Sequence, residues 1–351
     1  MIKIKLGDKV ISDNSLPYII AEIGVNHECS LNKAKKLILY AKKGGANAAK
    51  FQTYKANLIT SKYAPSYWDV TKEKIKNQFQ LFRKYDLFEE THYKELANYC
   101  KKINIEFIST PFDHNAVDML DPLVKFYKIS SSDITNFPLL KKVALKKKPI
   151  LISTGASSLK EIQRSVKYLK KNHCKEIIIM HCILNYPTLD KDANLNMISS
   201  LKKNFPKNLI GYSDHTLPSQ DMKNITTAYI LGARVIEKHF TLNKKLPGND
   251  HYHSMDLFDL RVINKKIKEI QLIIGNKQKS FLSSEKNSRK FARRSLVAKN
   301  QIYKNQKIRR KDLICKRPGT GIQPEKINQI IGKKATRNLK EDHIITLKDI
   351  K

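Results

Sequence analysis

Polar residues of catalytic type recur in this chain directly after short apolar, β-branched runs. Glu22 and Asn26-His27 follow one such run, Lys50 and Gln52 the next, then Ser109-Thr110, then Lys128, Ser131 and Asp133. The series continues with Ser153-Thr154, His181, Tyr186, Ser213-Asp214-His215, and Glu237 with His239. A single Ser or Thr at such a place satisfies nearby backbone groups and needs no further role. A coordinated series of strand ends reads as the lining of one site. Lys50 and Lys128 lie on otherwise apolar strands. Turned inward they hold a small polyanion, with Ser and Thr hydroxyls taking the remaining oxygens; turned outward they snorkel between helices. His215 and His239 end adjacent strands, and a histidine pair with open positions suits Mn²⁺, Mg²⁺ or Zn²⁺ as a Lewis acid on a carbonyl. Hydrogen-bonded core histidines fit the same spacing. Asp250-His251-Tyr252-His253 adds a polar loop just beyond; its H-x-H pattern resembles a metal pair, and exposed loop histidines are the ordinary alternative.

The elements that must position these groups are legible as runs. They are Tyr18-Ile-Ile-Ala-Glu-Ile, Ala46-Asn-Ala-Ala-Lys-Phe-Gln, Ile105-Glu-Phe-Ile-Ser, Lys125-Phe-Tyr-Lys-Ile-Ser, Pro149-Ile-Leu-Ile-Ser, Glu176-Ile-Ile-Ile-Met-His, Leu209-Ile-Gly-Tyr-Ser and Arg234-Val-Ile-Glu-Lys-His-Phe. Helix-period stretches such as Leu31 to Lys43 and Ser158 to Lys171 separate them. Mostly apolar strands alternating with helices predict a parallel sheet covered on both faces, and eight strands close a (β/α)8 TIM barrel. The stretch from Thr53 to Asn104 is long enough for an extra helical insertion. After an amphipathic helix from about Leu257 to Ile274, the polar segment Gly275 to Arg289 reads as a linker. Short strands at Ser295-Leu-Val-Ala, Lys307-Ile, Leu313-Ile-Cys-Lys and His343-Ile-Ile-Thr-Leu then predict a small β-rich domain. The expected boundaries are 1–280 for the barrel, 281–292 for the linker and 293–351 for the small domain.

The chain of 351 residues carries 67 Lys+Arg against 32 Asp+Glu, a formal charge of +35. Such a surplus fits nucleic-acid binding. The lysines are nevertheless spread along the whole length, with no recognition-helix or zinc-finger spacing, so they read as solvated faces and nucleic acid is not the expected partner. No run of about 18 apolar residues predicts a membrane span. The 5 cysteines are scattered without a C-x-x-C pair, which argues for a reducing, cytoplasmic setting.

Eight motifs together carry a family resemblance: Ala21-Glu-Ile-Gly-Val-Asn-His, Lys50-Phe-Gln-Thr, Ser109-Thr-Pro-Phe, Tyr127-Lys-Ile-Ser-Ser, Ser153-Thr-Gly, Gly211-Tyr-Ser-Asp-His-Thr, Glu237-Lys-His-Phe-Thr-Leu and Lys316-Arg-Pro-Gly-Thr-Gly. In that order the chain resembles the sialic acid synthase family (N-acetylneuraminate, legionaminate and pseudaminate synthases) over nearly its whole length, including a C-terminal SAF, or antifreeze-like, β-clip domain. The resemblance implies condensation of phosphoenolpyruvate with an open-chain N-acylated hexosamine to a nine-carbon 2-keto acid, releasing phosphate. By position, Lys50, Thr110, Lys128, Ser131 and Ser213 would hold phosphoenolpyruvate. His215 and His239 would bind a divalent metal, Mn²⁺ with Mg²⁺ or Co²⁺ as alternatives. Glu22 would transfer a proton, while Gln52, Asp133, Tyr186 and Asp250 would contact the sugar. Arg317 would reach the neighbouring active site in a homodimer whose SAF domains are swapped over the partner barrels.

Several residues depart from the family pattern. Ile183 and Leu184 are apolar where a Thr and a polar residue are usual, leaving Asn185 as the substitute. Asp133 replaces a common Glu, His253 adds a histidine to the usual Asp-His, and Arg293-Arg294 before Ser295 resembles the legionaminate and pseudaminate branch. Two other readings stand beside the synthase: a 3-deoxy-2-ulosonate synthase acting on a phosphorylated sugar, and a non-enzymatic binder of carbohydrate or nucleic acid.

Overall fold

The computed structural model describes residues 2–248 and 250–351. These divide into two compact units, the first running to Gly275 and the second from Asn276 to Lys351. The first opens with a hairpin of β1 (Lys3–Leu6) and β2 (Lys9–Ser12), followed by β3 (Tyr18–Gly24), α1 (Leu31–Gly44) and β4 (Ala48–Thr53). The predicted insertion after β4 is helical: α2 (Ala56–Ile59), α3 (Gln78–Tyr85) and α4 (Glu90–Lys102). Regular alternation then resumes with β5 (Glu106–Pro111), α5 (His114–Leu120), β6 (Tyr127–Ile129), α6 (Phe137–Ala144), β7 (Ile150–Ser153) and α7 (Leu159–Lys171). It ends with β8 (Ile177–Cys182), α8 (Asn196–Asn204), β9 (Leu209–Asp214), α9 (Lys223–Ile230), β10 (Ala233–His239) and α10 (Leu257–Ile274).

Strands β3 to β10 form one parallel sheet of eight in the order β5-β4-β3-β10-β9-β8-β7-β6. Both edge strands, β5 and β6, lie side by side, so the ring is a nearly closed (β/α)8 barrel. Helix starts follow local chemistry. Ser158 caps α7 in a reciprocal pairing with Glu161, and Asp256 caps α10 in the same way with Asp259. Among the described residues no helix is long and apolar enough to cross a membrane.

The barrel interior explains where the polar groups sit. Side chains two residues apart share a face of a strand. Low in the barrel the inward positions are apolar: Ile20, Ala48, Ile108, Phe126, Leu151 and Val235 belong to one core cluster, closed from below by Ile4, Leu6 and Ile11 of the hairpin. One pleat further along, the same strands present Glu22, Lys50, Thr110, Lys128, Ser153 and Glu237. Gly211 keeps this interior packed, since a Cβ there would stand 2.2 Å from the Met180 sulfur. The outward positions instead join the helices in a second, larger core.

Two outward positions, on neighbouring strands, carry a buried ion pair. Lys238 is fully buried and its Nζ lies 2.8 Å from Asp214 Oδ2 and 2.6 Å from the Thr216 carbonyl. Asp214 also accepts from Tyr212 Oη at 2.9 Å and from the Thr216 amide at 2.9 Å. Burial alone would raise its carboxyl; Lys238 and these donors hold it below the ordinary value.

The second unit contains the short helix α11 (Lys286–Ala292), within the segment expected to be linker, then β11 (Ser295–Ala298), β12 (Leu313–Lys316) and α12 (Ile327–Ile330). β11 and β12 pair antiparallel. The strands expected at Lys307 and His343 shrink to isolated bridges, Lys307 with Lys334 and Ile344 with Val297. A small core around Leu296, Ile302, Ile308 and Ile345 holds the unit. Buried Asp349 ties its loops by accepting from Thr346, Arg337 and His343.

Removing one partner of a buried ion pair leaves the other charge unpaired. Lys238→Met should therefore lower unfolding free energy by about 3–5 kcal/mol, measured by denaturant titration; a loss under about 1 kcal/mol would show that the pair does not brace β9 against β10.

Candidate active site

Parallel register brings the strand-end residues together. Glu22 on β3 stands opposite Lys50 on one side and His239 on the other, while Glu237 stands opposite Ser213. The result is a charged quartet inside the barrel mouth. Lys50 Nζ lies 2.6 Å from Glu22 Oε2 and 3.7 Å from Glu237 Oε1, and donates to Thr110 Oγ1 at 3.0 Å. Lys128 Nζ donates to Glu237 Oε1 at 3.0 Å, and so does Ser213 Oγ at 3.0 Å. Gln52 Nε2 donates to Glu22 Oε1 at 3.0 Å. All four charged groups are buried.

The two carboxyls respond oppositely to this setting. Burial is the strongest influence on both and favours the protonated form. At Glu237 the attraction of Lys128 and Lys50 prevails and holds it down at about 2. At Glu22 burial prevails: Lys50 opposes it, Glu237 reinforces it, and the carboxyl lies above the ordinary value. Lys50, held by two carboxylates, has its ammonium stabilised despite burial.

This quartet lines a cavity of about 370 Å³ with Thr110, Ser131, Ser153, Ser213, His215 and His239. Ser131 Oγ is fixed by the Gly155 amide at 2.9 Å. Ser153 Oγ and Glu237 Oε2 are buried with no hydrogen-bond partner among the described residues. Beside it lies a cleft of about 700 Å³ walled by Tyr54, Tyr67, Trp68, Leu81, Phe82 and Tyr85, chiefly from the insertion after β4, with Asp250 at its edge. Gln52, Tyr186 and His239 line both cavities.

His215 Nδ1 lies 2.8 Å from the Ile183 carbonyl, which can only accept, so the proton is on Nδ1 and Nε2 carries the free lone pair. The His215 and His239 rings are 5.6 Å apart between centroids. His239 Nδ1 is 3.2 Å from Asp250 Oδ2 yet is not in hydrogen-bond geometry with it. His239, Asp250 and His253 each offer a ligand atom, all within 4.8 Å of one another. Idle buried nitrogens next to a carboxylate suit a divalent cation.

The sequence-predicted residues are thus mostly gathered. Glu22, Lys50, Gln52, Thr110, Lys128, Ser131, Tyr186, Ser213, His215 and His239 share the first cavity, and Asp250 lines the second. Asp133 lines neither: its carboxylate accepts from Asn136 at 3.0 Å at the end of a short 3-10 turn. Arg317 is an exposed residue of the second unit. Three participants were not singled out as site residues from the sequence. Glu237 was visible in its motif but without a partner; Ser153 was one strand-end serine among several; Cys182, with Sγ 3.8 Å from His215 Nδ1, stands where the motif departs from the family.

The chain matches the NeuB family over residues 37–279 and the SAF domain over residues 293–351. It belongs to the NeuB family. It is 42% identical over 332 residues to the N,N'-diacetyllegionaminic acid synthase of Campylobacter jejuni, covering 93% of this chain and 98% of that protein. It is 32% identical to the pseudaminic acid synthase of Helicobacter pylori, over 95% and 98% of the two chains. The crystal structure of N-acetylneuraminic acid synthetase from Leptospira borgpetersenii is 32% identical with a TM-score of 0.72, covering 82% of this chain and 94% of that one.

Because Ser153 Oγ is unpartnered, Ser153→Ala should leave the stability of the free protein unchanged or slightly raised, within about 1 kcal/mol. The same change should weaken inorganic phosphate binding about tenfold or more in calorimetry. Unaltered phosphate affinity would remove Ser153 from the anion site.

Proposed function

We propose that this chain is a nonulosonic acid synthase, condensing phosphoenolpyruvate and water with an open-chain N-acylated hexosamine to give a 2-keto-3-deoxy nine-carbon sugar acid and phosphate. The product belongs to surface polysaccharide or glycoprotein synthesis. The observation that carries this reading is the pair of cavities meeting at Gln52, Tyr186 and His239: one cationic and hydroxyl-lined, the other aromatic. Residues 1–280 are read as the synthase domain, 281–292 as linker and 293–351 as the SAF domain.

In this assignment Lys50 and Lys128 bind the phosphate and carboxylate of phosphoenolpyruvate, with Thr110, Ser131 and Ser213 as hydroxyl partners. Both lysines are already aimed inward by Glu22 and Glu237. An entering anion exchanges for the carboxylates, so little reorganisation is required when charge moves during the reaction. His215 and His239 would hold a divalent cation, which supplies Lewis acidity toward the sugar aldehyde. C3 of phosphoenolpyruvate forms the new bond to the aldehyde carbon. Water adds at C2, and the C2–O bond to phosphate breaks to leave the ketone. Glu22, whose carboxyl burial holds above the ordinary value, is the proton donor to the aldehyde oxygen as that becomes a hydroxyl. Gln52, Asp133, Tyr186 and Asp250 position the sugar. Arg317 serves the other subunit's site in a homodimer with swapped SAF domains, which gives so small a domain a partner surface to lean on.

The aromatic cleft separates this reading from a phosphorylated-sugar synthase. Neither Lys nor Arg is among its described lining residues, which include Glu73 and Asp250. A sugar phosphate would meet carboxylates there, whereas N-acyl and deoxy groups meet rings.

Phosphate release from phosphoenolpyruvate with a divalent cation should appear with N-acetylmannosamine or a diacetamido-trideoxyhexose, and fall about tenfold or more with a 6-phosphorylated hexosamine. Folded protein silent across the whole panel would refute the synthase. Arg317→Ala should raise the KM for the sugar more than that for phosphoenolpyruvate; the reverse ranking would move Arg317 to the phosphate.

A further inference from the structure

The loop after β10 carries a histidine that neither the anion cavity nor the aromatic cleft uses. His253 is fully buried, and neither ring nitrogen has a hydrogen-bond partner among the described residues. Its ring centroid lies 4.9 Å from that of His239, with Tyr186 at 5.6 Å and Tyr252 at 5.2 Å packed around it. His239 Nδ1 stands at ion-pair distance, 3.2 Å, from an Asp250 oxygen but is not aligned for a hydrogen bond to it. A buried imidazole with two unused nitrogens is destabilising for the empty protein, and an apolar side chain of similar size would fill the space without that penalty. These two histidines and a carboxylate whose ligand atoms all lie within 4.8 Å of one another have a common explanation in a shared cation.

We propose that His253 is a further direct ligand of the divalent cation, joining His215 and His239, with the Asp250 carboxylate beside it. The proposal rests on the metal-dependent reading above and adds a ligand that the sequence alone left as a loop histidine. His239, Asp250 and His253 come from one stretch, the end of β10 and the loop beyond it, so the cation is gripped chiefly from one side of the mouth. His215 approaches from the end of β9, with Nδ1 held by the Ile183 carbonyl. A donor set richer in imidazole than in oxygen favours Co²⁺, Fe²⁺ or Zn²⁺ and disfavours Mg²⁺.

The test uses chelator-treated full-length protein and Co²⁺ as the probe, read by calorimetry, visible absorption and thermal unfolding. Wild type should bind Co²⁺ and gain thermal stability on binding. His253→Leu should unfold, without metal, at or above the wild-type temperature, while its Co²⁺ affinity falls about tenfold or more and the absorption band changes. His253→Asn serves the same comparison if the leucine variant does not fold. Wild-type Co²⁺ affinity and an unchanged spectrum in the variant would overturn the ligand assignment, as would a lower metal-free unfolding temperature with the Co²⁺-induced rise intact, the signature of a packing histidine. Wild type that takes up no Co²⁺ would overturn the metal-dependent reading as well, so the two failures are distinguishable. Turnover is not needed for any of these readouts.

Discussion

Two lysines and two glutamates buried inside a ring of strands set the terms for the rest of the molecule. Burying four charges is tolerable only where each is paired and hydrogen-bonded, and the interleaving of Lys50 between Glu22 and Glu237, with Lys128 on Glu237, meets that condition. It also demands a particular scaffold. The groups come from β4, β3 and β10, adjacent in the sheet, and from β6 at its far edge, which meets them because the sheet curls into a barrel. The apolar layer beneath them, closed by the N-terminal hairpin, keeps water from entering from below and makes each pairing stronger than it would be in solvent.

Much of this was legible from residue order. Strands buried on both faces read as nearly continuous apolar runs, so all eight barrel strands were visible, and the polar residue two positions past an inward apolar one marked the mouth. The helical insertion showed as an anomalous gap. What stayed hidden depends on contacts between distant segments. Nothing in Glu237's own neighbourhood reveals that it receives Lys128 and Ser213, and an H-x-H loop reads the same whether its second histidine is exposed or, as His253 is, fully buried. The aromatic wall of Tyr54, Tyr67, Trp68 and Phe82 comes from a segment whose sequence says helix but not which cavity it faces. The local partner of Asp133, which accepts from Asn136, is likewise not evident from its motif. In the small second unit, expected strands at Lys307 and His343 amount to single bridges, because short segments held mostly by turns and caps do not sustain a ladder.

The formal charge of +35 takes on a different meaning in this frame. Many lysines are spent on exposed pairs such as Lys142 and Lys146 with Asp118, or Lys223 with Asp190. Such pairs contribute little individually. Lys50 and Lys128 stand apart from this surplus by being buried and paired inside the barrel mouth.

The measurement that bears most directly on the synthase reading is the fate of the bridging oxygen of phosphoenolpyruvate. With that oxygen isotopically labelled and an accepting amino sugar present, mass spectrometry of the products should find the label in inorganic phosphate, because the C2–O bond breaks after condensation. Label retained in the keto acid, with cleavage on the phosphorus side, would contradict the account.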